Sequence, residues 1–197
     1  MVNRKKKSFG IAIVILSSMC FAVVPTAAKT ALDLGSSLFV LLFSRCLIGI
    51  FLLMPALNFQ KNLIVIPGRL ILPTLFLSLV SVSLIATTYH AIELLNIAIV
   101  LIIMYSFPLG IAIITHLRAE EEIRMPQWIC LLAIILGLSI IVFDGTVKGN
   151  LYGIIVSVIG LILMTIFIYH SSKLAHHLGS LKFNFHINLW SLFLLLA

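Results

Sequence analysis

The stretch from Ile97 to Phe143 constrains the fold most, because it places two long apolar runs around a short charged connector. The first run covers residues 97–117, and the second follows the connector Arg118–Gln127. About 20 apolar residues, each rising ~1.5 Å along a helix, cross the ~30 Å hydrocarbon core of a bilayer. Lipid offers the backbone no hydrogen-bond partner, so each run must pair its own N–H and C=O groups as a helix. The stretch therefore predicts a helical hairpin through a membrane.

The composition extends this prediction to the whole chain. Of its 197 residues, 62% are hydrophobic and only 10% are charged, whereas soluble domains carry roughly 25% charged residues. The three cysteines lie inside apolar runs without metal-binding or redox spacing, which is typical of small buried hydrophobic residues. The sequence therefore predicts an all-α polytopic membrane protein, with the lipid bilayer as its main partner.

The apolar runs divide into a set of five spans and the beginning of another set. The five spans are predicted at about residues 9–28, 37–57, 70–89, 97–117 and 126–143, within a first unit of residues 1–143. The second unit, residues 144–197, holds a span at about 151–170 and an incomplete span at 183–197. A helix that stops in mid-bilayer would leave carbonyl groups without partners, so we expect the chain to be a C-terminally truncated fragment.

The basic residues predict an orientation. If the N-terminus is cytoplasmic, most of the basic residues fall on the cytoplasmic side, and these are Arg4, Lys5, Lys6, Lys7, Lys61, Arg69, Arg118, Arg124, Lys173 and Lys182. This is the positive-inside pattern, which favours an integral protein of a bacterial cytoplasmic membrane. The formal net charge of +7 is then explained by topology and anionic lipid, and no nucleic-acid partner is predicted.

An odd number of spans in a repeat inverts the next copy in the membrane. The two predicted units begin alike, with KKKSFGIAIVILSSMCFAVVPTAAK in the first and KGNLYGIIVSVIGLILMTIFIYHSSK in the second. Both contain a basic residue, then an aromatic residue with glycine and isoleucine, then an apolar span and a lysine. Inverted repeats are common in transporters, with the substrate site between the halves near the midplane.

Several features of the first five spans form a recognisable set, and these are FGIAIVILSSMCFAVVPTAAK, LFSRCLIG, and the positions Tyr89 with Ala91, Pro108, Glu121, Gln127 with Trp128, and Gly137. In these features the chain resembles the EamA-like branch of the drug/metabolite transporter superfamily. Glu120 departs from the family pattern, which has a glycine before its glutamate. The resemblance implies a ten-span protein of two five-span repeats that moves small organic metabolites or drugs, as an exporter or permease.

Arg45 and Lys29 are the charged candidates for a substrate path. Arg45 lies well inside the second span, where a charge costs a few kcal/mol and should face protein or a water-filled cavity. It could bind an anion or carboxylate. It could instead snorkel, or pair with Asp33 or Glu93. Lys29 could join the path, or form a simple i,i+4 pair with Asp33.

Pro108 and Gly110 are expected to break the fourth span near mid-depth, beside Tyr105 and Ser106. The break could line the substrate path, or it could be a packing kink of the kind common in membrane helices. Tyr105 is the expected cavity residue, whereas Tyr89 is expected in an interfacial belt.

These patterns predict a secondary transporter that works by alternating access, with no enzymatic activity, no cofactor and no metal site. Two alternatives stay open: a truncated membrane protein without transport activity, and a membrane enzyme that uses His170, His176 and His177. A homodimer partner or a missing second half could complete the carrier. Glu121 could couple transport to an ion, or it could simply be solvated in the charged connector.

Overall fold

The computed structural model describes residues 4–58, 65–118 and 150–196, with a few separate positions between 125 and 140, and for residues 4–9, 21 and 56–58 the backbone alone. These residues form seven α-helices and no β-strand. The helices are α1 (Arg4–Asp33), α2 (Leu38–Asn58), α3 (Gly68–Leu94), α4 (Ile97–Tyr105), α5 (Phe107–Leu117), α6 (Leu151–Leu178) and α7 (Ser180–Leu196). The predicted all-α class is confirmed.

Five segments of the described chain are long and apolar enough to cross a membrane. They are Gly10–Asp33, Leu38–Pro55, Gly68–Leu94, Ile97–Leu117 and Leu151–Leu178. They correspond to the first four predicted spans and the sixth, so the polytopic prediction is confirmed. The span predicted at 126–143 lies mostly outside the described residues. Residues 183–196 of the last predicted run belong to α7, and residue 197 lies outside the described residues.

Local sequence explains where several helices begin and turn. The side chains of Asn96 and Asn150 accept hydrogen bonds from the backbone N–H groups of Ala98 (2.9 Å) and Tyr152 (3.1 Å), which caps α4 and α6. Gly179 has φ +82° between α6 and α7, a left-handed conformation that glycine adopts without steric cost.

The predicted break in the fourth span is confirmed. Ser106 separates α4 from α5, and Pro108 occupies the first turn of α5. Proline has no N–H to donate and its ring collides with the preceding turn, so the helix ends just before it. The Ser106 hydroxyl donates to the carbonyl of Ile102 at 3.2 Å, which satisfies one carbonyl near the break.

The helix α3 lies at the centre of the bundle, in contact with α6 and α7 on one side and with α1, α2 and α4 elsewhere. Ala91, Ile92 and Val100 are fully buried where α3 and α4 meet the others. Two helices approach closely where one of them has a small residue. An added methyl group at Gly110 on α5 would lie only 2.5 Å from Thr165 Oγ1 on α6. Such contacts let the backbones of membrane helices approach each other.

One end of the bundle carries cations. Lys182 donates to the carbonyl of Val65 at 3.3 Å, so the start of α7 lies beside the segment that enters α3. Arg69 is in the first turn of α3, and Arg118, at the end of α5, lies over the ring of Tyr169 near the end of α6. No carboxylate of the described chain accompanies these cations.

The described acids lie at the opposite end, and each contacts a basic side chain. Lys29 contacts Asp33 at 3.1 Å, as the i,i+4 interpretation predicted, and His90 contacts Glu93 at 3.2 Å. The two ends of the bundle therefore differ in charge, as expected for a protein with two different aqueous faces.

Candidate functional site

A cavity of about 310 Å³ lies inside the bundle, between α1, α2, α3, α4, α6 and α7. Its wall is mostly apolar, with Leu42, Ile85 and Met164 among the contributors. The polar side chains in the wall are Arg45, Ser81, Thr88, Tyr89, Tyr105, Asn184, Asn188 and Ser191. An apolar cavity with a few polar groups is the usual form of a small-molecule site.

Arg45 is the charged residue of this wall. It lies on α2, and no carboxylate of the described chain forms an ion pair with it. Asp33 and Glu93, the two acids considered as its partners, are paired with Lys29 and His90 instead. The structure therefore does not support the alternative that Asp33 or Glu93 neutralises Arg45.

Two tyrosines face the same cavity from different helices. Tyr105, at the end of α4, is 46% exposed, and Tyr89 on α3 is only 7% exposed. The sequence placed Tyr89 at the membrane interface because the third span was expected to end there. In the structure α3 continues to Leu94, so Tyr89 lies more than one turn inside the helix and contributes to the cavity wall.

Three further candidates for the substrate path, Lys29, Ser106 and Pro108, are not part of the cavity wall. Lys29 is held by Asp33 near the end of α1, away from the cavity. Ser106 turns its hydroxyl back onto the carbonyl of Ile102. Pro108 opens α5, and the cavity ends at Tyr105 on the preceding helix.

The helix α7 supplies two amides that the sequence analysis did not single out. Asn184 donates to the carbonyl of Ser180 at 2.9 Å, and Asn188 donates to the carbonyl of Asn184 at 2.8 Å. A methyl group at Gly49 would lie 2.9 Å from Asn188 Oδ1, so a glycine on α2 allows this amide to pack closely. The sequence does contain a signal for these amides, because two amides four residues apart in an apolar run share one helix face.

Glu121, another position marked by the family resemblance, is outside the described residues. Trp128 and Gly137 are not among the residues of the cavity wall. Trp128 is 45% exposed, and a methyl group at Gly137 would meet no atom within 4 Å. The rings of His176 and His177 are 6.0 Å apart, and no group of three potential metal ligands occurs in the described part of the chain.

The fold and the cavity define a class: an integral membrane protein whose helices surround a mostly apolar cavity with a few polar side chains. Residues 8–143 match the EamA-like transporter family over more than half of the chain, and the chain belongs to this family. The match covers α1 to α5, whereas α6 and α7 follow it. The family is one of transporters and not of enzymes. No curated protein and no solved structure matches the chain.

Proposed function

We propose that this protein is a secondary carrier that moves small organic solutes across the membrane by alternating access around the cavity. The observation that carries the proposal is Arg45 in the cavity wall, with no carboxylate partner in the described chain. A charge inside a membrane protein is costly unless it is paired or hydrated, and such residues mark solute and ion pathways. A carried anion would supply the missing partner.

The chemistry of the wall indicates the class of solute. A guanidinium group presents a planar fork of donors that matches a carboxylate, and Arg45, itself exposed, belongs to a cavity wall that is mostly apolar. The amides of Asn184 and Asn188 and the hydroxyl of Tyr105 add hydrogen-bonding groups. The proposed solute is therefore a small carboxylate with an apolar body, bound with its anionic group at Arg45.

The helix directions support the inverted-repeat part of the proposal. Ala28, near the end of α1, and Val156, near the start of α6, belong to the same buried cluster. The chain therefore runs toward this cluster along α1 and away from it along α6. The first helices of two inverted repeats would have these opposite directions. On this proposal residues 1–143 form one repeat, residues 144–197 begin the next, and the N-terminus is cytoplasmic in a cell membrane.

Uptake into proteoliposomes tests the proposal. The probes are labelled phenylacetate and phenylacetamide, which share an apolar body and differ in the carboxylate. We expect wild-type protein to take up phenylacetate in preference to the amide. Arg45→Ala should reduce phenylacetate uptake by roughly tenfold or more, the effect of losing ~1.4 kcal/mol of binding. Arg45→Lys should retain part of it, because the charge remains without the fork.

The matched control is Arg69→Ala, which removes an arginine outside the cavity at the first turn of α3. It should transport phenylacetate at the wild-type rate. Equal uptake by wild type and Arg45→Ala would overturn the proposed role of Arg45. Equal uptake of the acid and the amide, or no uptake of either, would overturn the proposed solute class.

A further inference from the structure

Two buried hydroxyl groups in the wall of the central cavity differ from the other buried hydroxyl groups of the described chain. Six serine and threonine side chains are buried in this part of the protein. Four of them donate hydrogen bonds of 2.6–2.9 Å to the carbonyl group one turn earlier in their own helix, and these are Thr74, Ser78, Ser157 and Thr165. The other two, Ser81 and Ser191, form no hydrogen bond within the described residues.

Ser81 and Ser191 are also the two of these six residues that belong to the cavity wall. Ser81 is 8% exposed and Ser191 is 3% exposed. Neither hydroxyl oxygen is fully enclosed by protein atoms, so each one opens onto the cavity. A buried hydroxyl group without a partner is costly. A molecule inside the cavity can supply the partner that the helix backbone does not.

The two serines lie at a similar depth in the bundle, although they belong to different helices. The start of α7 lies beside the segment that enters α3, so both helices run from the same end of the bundle. Farther along, Leu77 of α3 and Ile187 of α7 belong to one buried cluster. Ser81 follows Leu77, and Ser191 follows Ile187, by four residues, which is about one helical turn. Both hydroxyl groups therefore reach the cavity from the side that α3 and α7 form.

Arg45 reaches the cavity from another helix, α2. A solute with its carboxylate at Arg45 can therefore meet the serines with a different part of its surface. The cavity is also long enough for a solute with two polar groups. Ser81 and Tyr89 both belong to its wall and are eight residues apart on one helix, which corresponds to ~12 Å along α3.

We propose that Ser81 and Ser191 form a second polar subsite, which binds a neutral hydroxyl group of the solute while Arg45 binds its carboxylate. This inference rests on the proposed function, because it names a second contact of the same solute. A serine hydroxyl donates one hydrogen bond and accepts others, so two serines match the donor and the acceptor of a solute hydroxyl. They bring no charge, which favours a neutral group over a second ion. The solute is then a hydroxycarboxylate with an apolar middle.

Binding of small carboxylates to the full chain in detergent tests the subsite, with isothermal titration calorimetry as the measurement. The ligands are phenylacetate, para-hydroxyphenylacetate and para-methylphenylacetate, in which a methyl group of similar size replaces the hydroxyl. We expect wild type to bind the hydroxylated ligand roughly fivefold more tightly than the other two, the effect of one or two net hydrogen bonds. Ser81→Ala and Ser191→Ala should each reduce this preference, and the double variant should abolish it. The affinity for phenylacetate should stay the same in all three variants.

Ser78→Ala is the matched control, because it removes a buried hydroxyl of the same helix that donates to the Thr74 carbonyl and lies outside the cavity wall. It should keep the full preference. The thermal midpoints of all variants without ligand check that each one is folded.

Two results would overturn the subsite and leave the proposed function standing. One is equal binding of the hydroxylated and the methylated ligand by a wild-type protein that binds phenylacetate through Arg45. The other is an unchanged preference in the double serine variant. A wild-type protein that binds none of the three carboxylates would instead overturn the proposed solute class, and the subsite with it.

Discussion

Gly110 shows how a single residue sets the distance between two helices. It lies on α5 at the contact with α6, where an added methyl group would come within 2.5 Å of Thr165 Oγ1 and 2.8 Å of Thr165 Cγ2. Real Cβ atoms do not approach other atoms this closely, so with a larger residue the Thr165 side chain or the helices themselves must shift. The glycine therefore matters for packing even though its own backbone is ordinary helix.

We predict that Gly110→Ala lowers the free energy of unfolding by about 1–3 kcal/mol, the usual cost of overpacking. Thermal unfolding in detergent measures the change. Gly10→Ala is the control, since a methyl group there meets no atom within 4 Å and should not lower stability. Adding Thr165→Ala to the Gly110 variant should recover much of the loss. A Gly110→Ala variant as stable as Gly10→Ala would show that α5 and α6 do not pack this closely.

At the residue scale the sequence predicted part of the site. Arg45 and Tyr105 could be chosen because polar residues deep in apolar runs are costly and should face the interior. The place of Tyr89 could not be predicted, because it depends on how far α3 continues beyond the apolar run. Asn184 and Asn188 were missed because α7 was treated as an apolar run, and hydropathy alone does not show which helix face meets α2.

The element that differs most from a regular membrane helix is the fourth span, which is two helices joined at Ser106. Tyr105, the last residue of the first piece, reaches the cavity, and Ile99 and Val100 of the same piece are buried in the core. The second piece packs on α6 but has no buried residue. The break therefore separates the part of the span that contributes to the core and the cavity wall from a more peripheral part.

We predict that Pro108→Ala raises the thermal midpoint and slows phenylacetate uptake. Alanine restores an N–H that can donate to the carbonyl of Met104, which joins α4 and α5 into one stiffer helix and removes the cost of an internal proline. Thermal unfolding and proteoliposome uptake measure the two effects. Pro67→Ala at the N-cap of α3 is the control, since no helical hydrogen bond is gained there. A faster or unchanged uptake in Pro108→Ala would contradict a role of the break in transport.

On the scale of the whole molecule, the two ends of the bundle differ in charge. Arg69, Arg118 and Lys182 lie at one end, and the pairs Lys29–Asp33 and His90–Glu93 lie at the other. From the positive-inside pattern we predict that the first end is cytoplasmic.

We predict that single cysteines at Arg69 and Arg118 react with a membrane-impermeant thiol reagent from the same side. Cysteines at Asp33 and Glu93 should react from the opposite side. Labelling intact cells and inverted vesicles, in a background without the native cysteines, measures this. If the N-terminus is cytoplasmic, Arg69→Cys and Arg118→Cys are protected in intact cells. Reaction of these two positions from opposite sides would contradict the predicted topology.

The number and order of the described spans followed from hydropathy, because lipid forces every apolar run of sufficient length into a helix. Hydropathy predicted the ends of the helices less closely. The third and sixth spans were expected to end near residues 89 and 170, but α3 and α6 continue to Leu94 and Leu178. Helices continue into polar sequence wherever their ends pack on neighbours, and hydropathy does not report such contacts.

The close contact between Gly49 and Asn188 has a consequence for the cavity. Gly49 is not part of the cavity wall, but Asn188 is. Any side chain at position 49 must displace the Asn188 amide. A substitution at position 49 would therefore alter the polarity of the cavity from outside its wall. On the proposed function, the selectivity of the carrier would then be tunable from the supporting layer, by a residue that never meets the cargo.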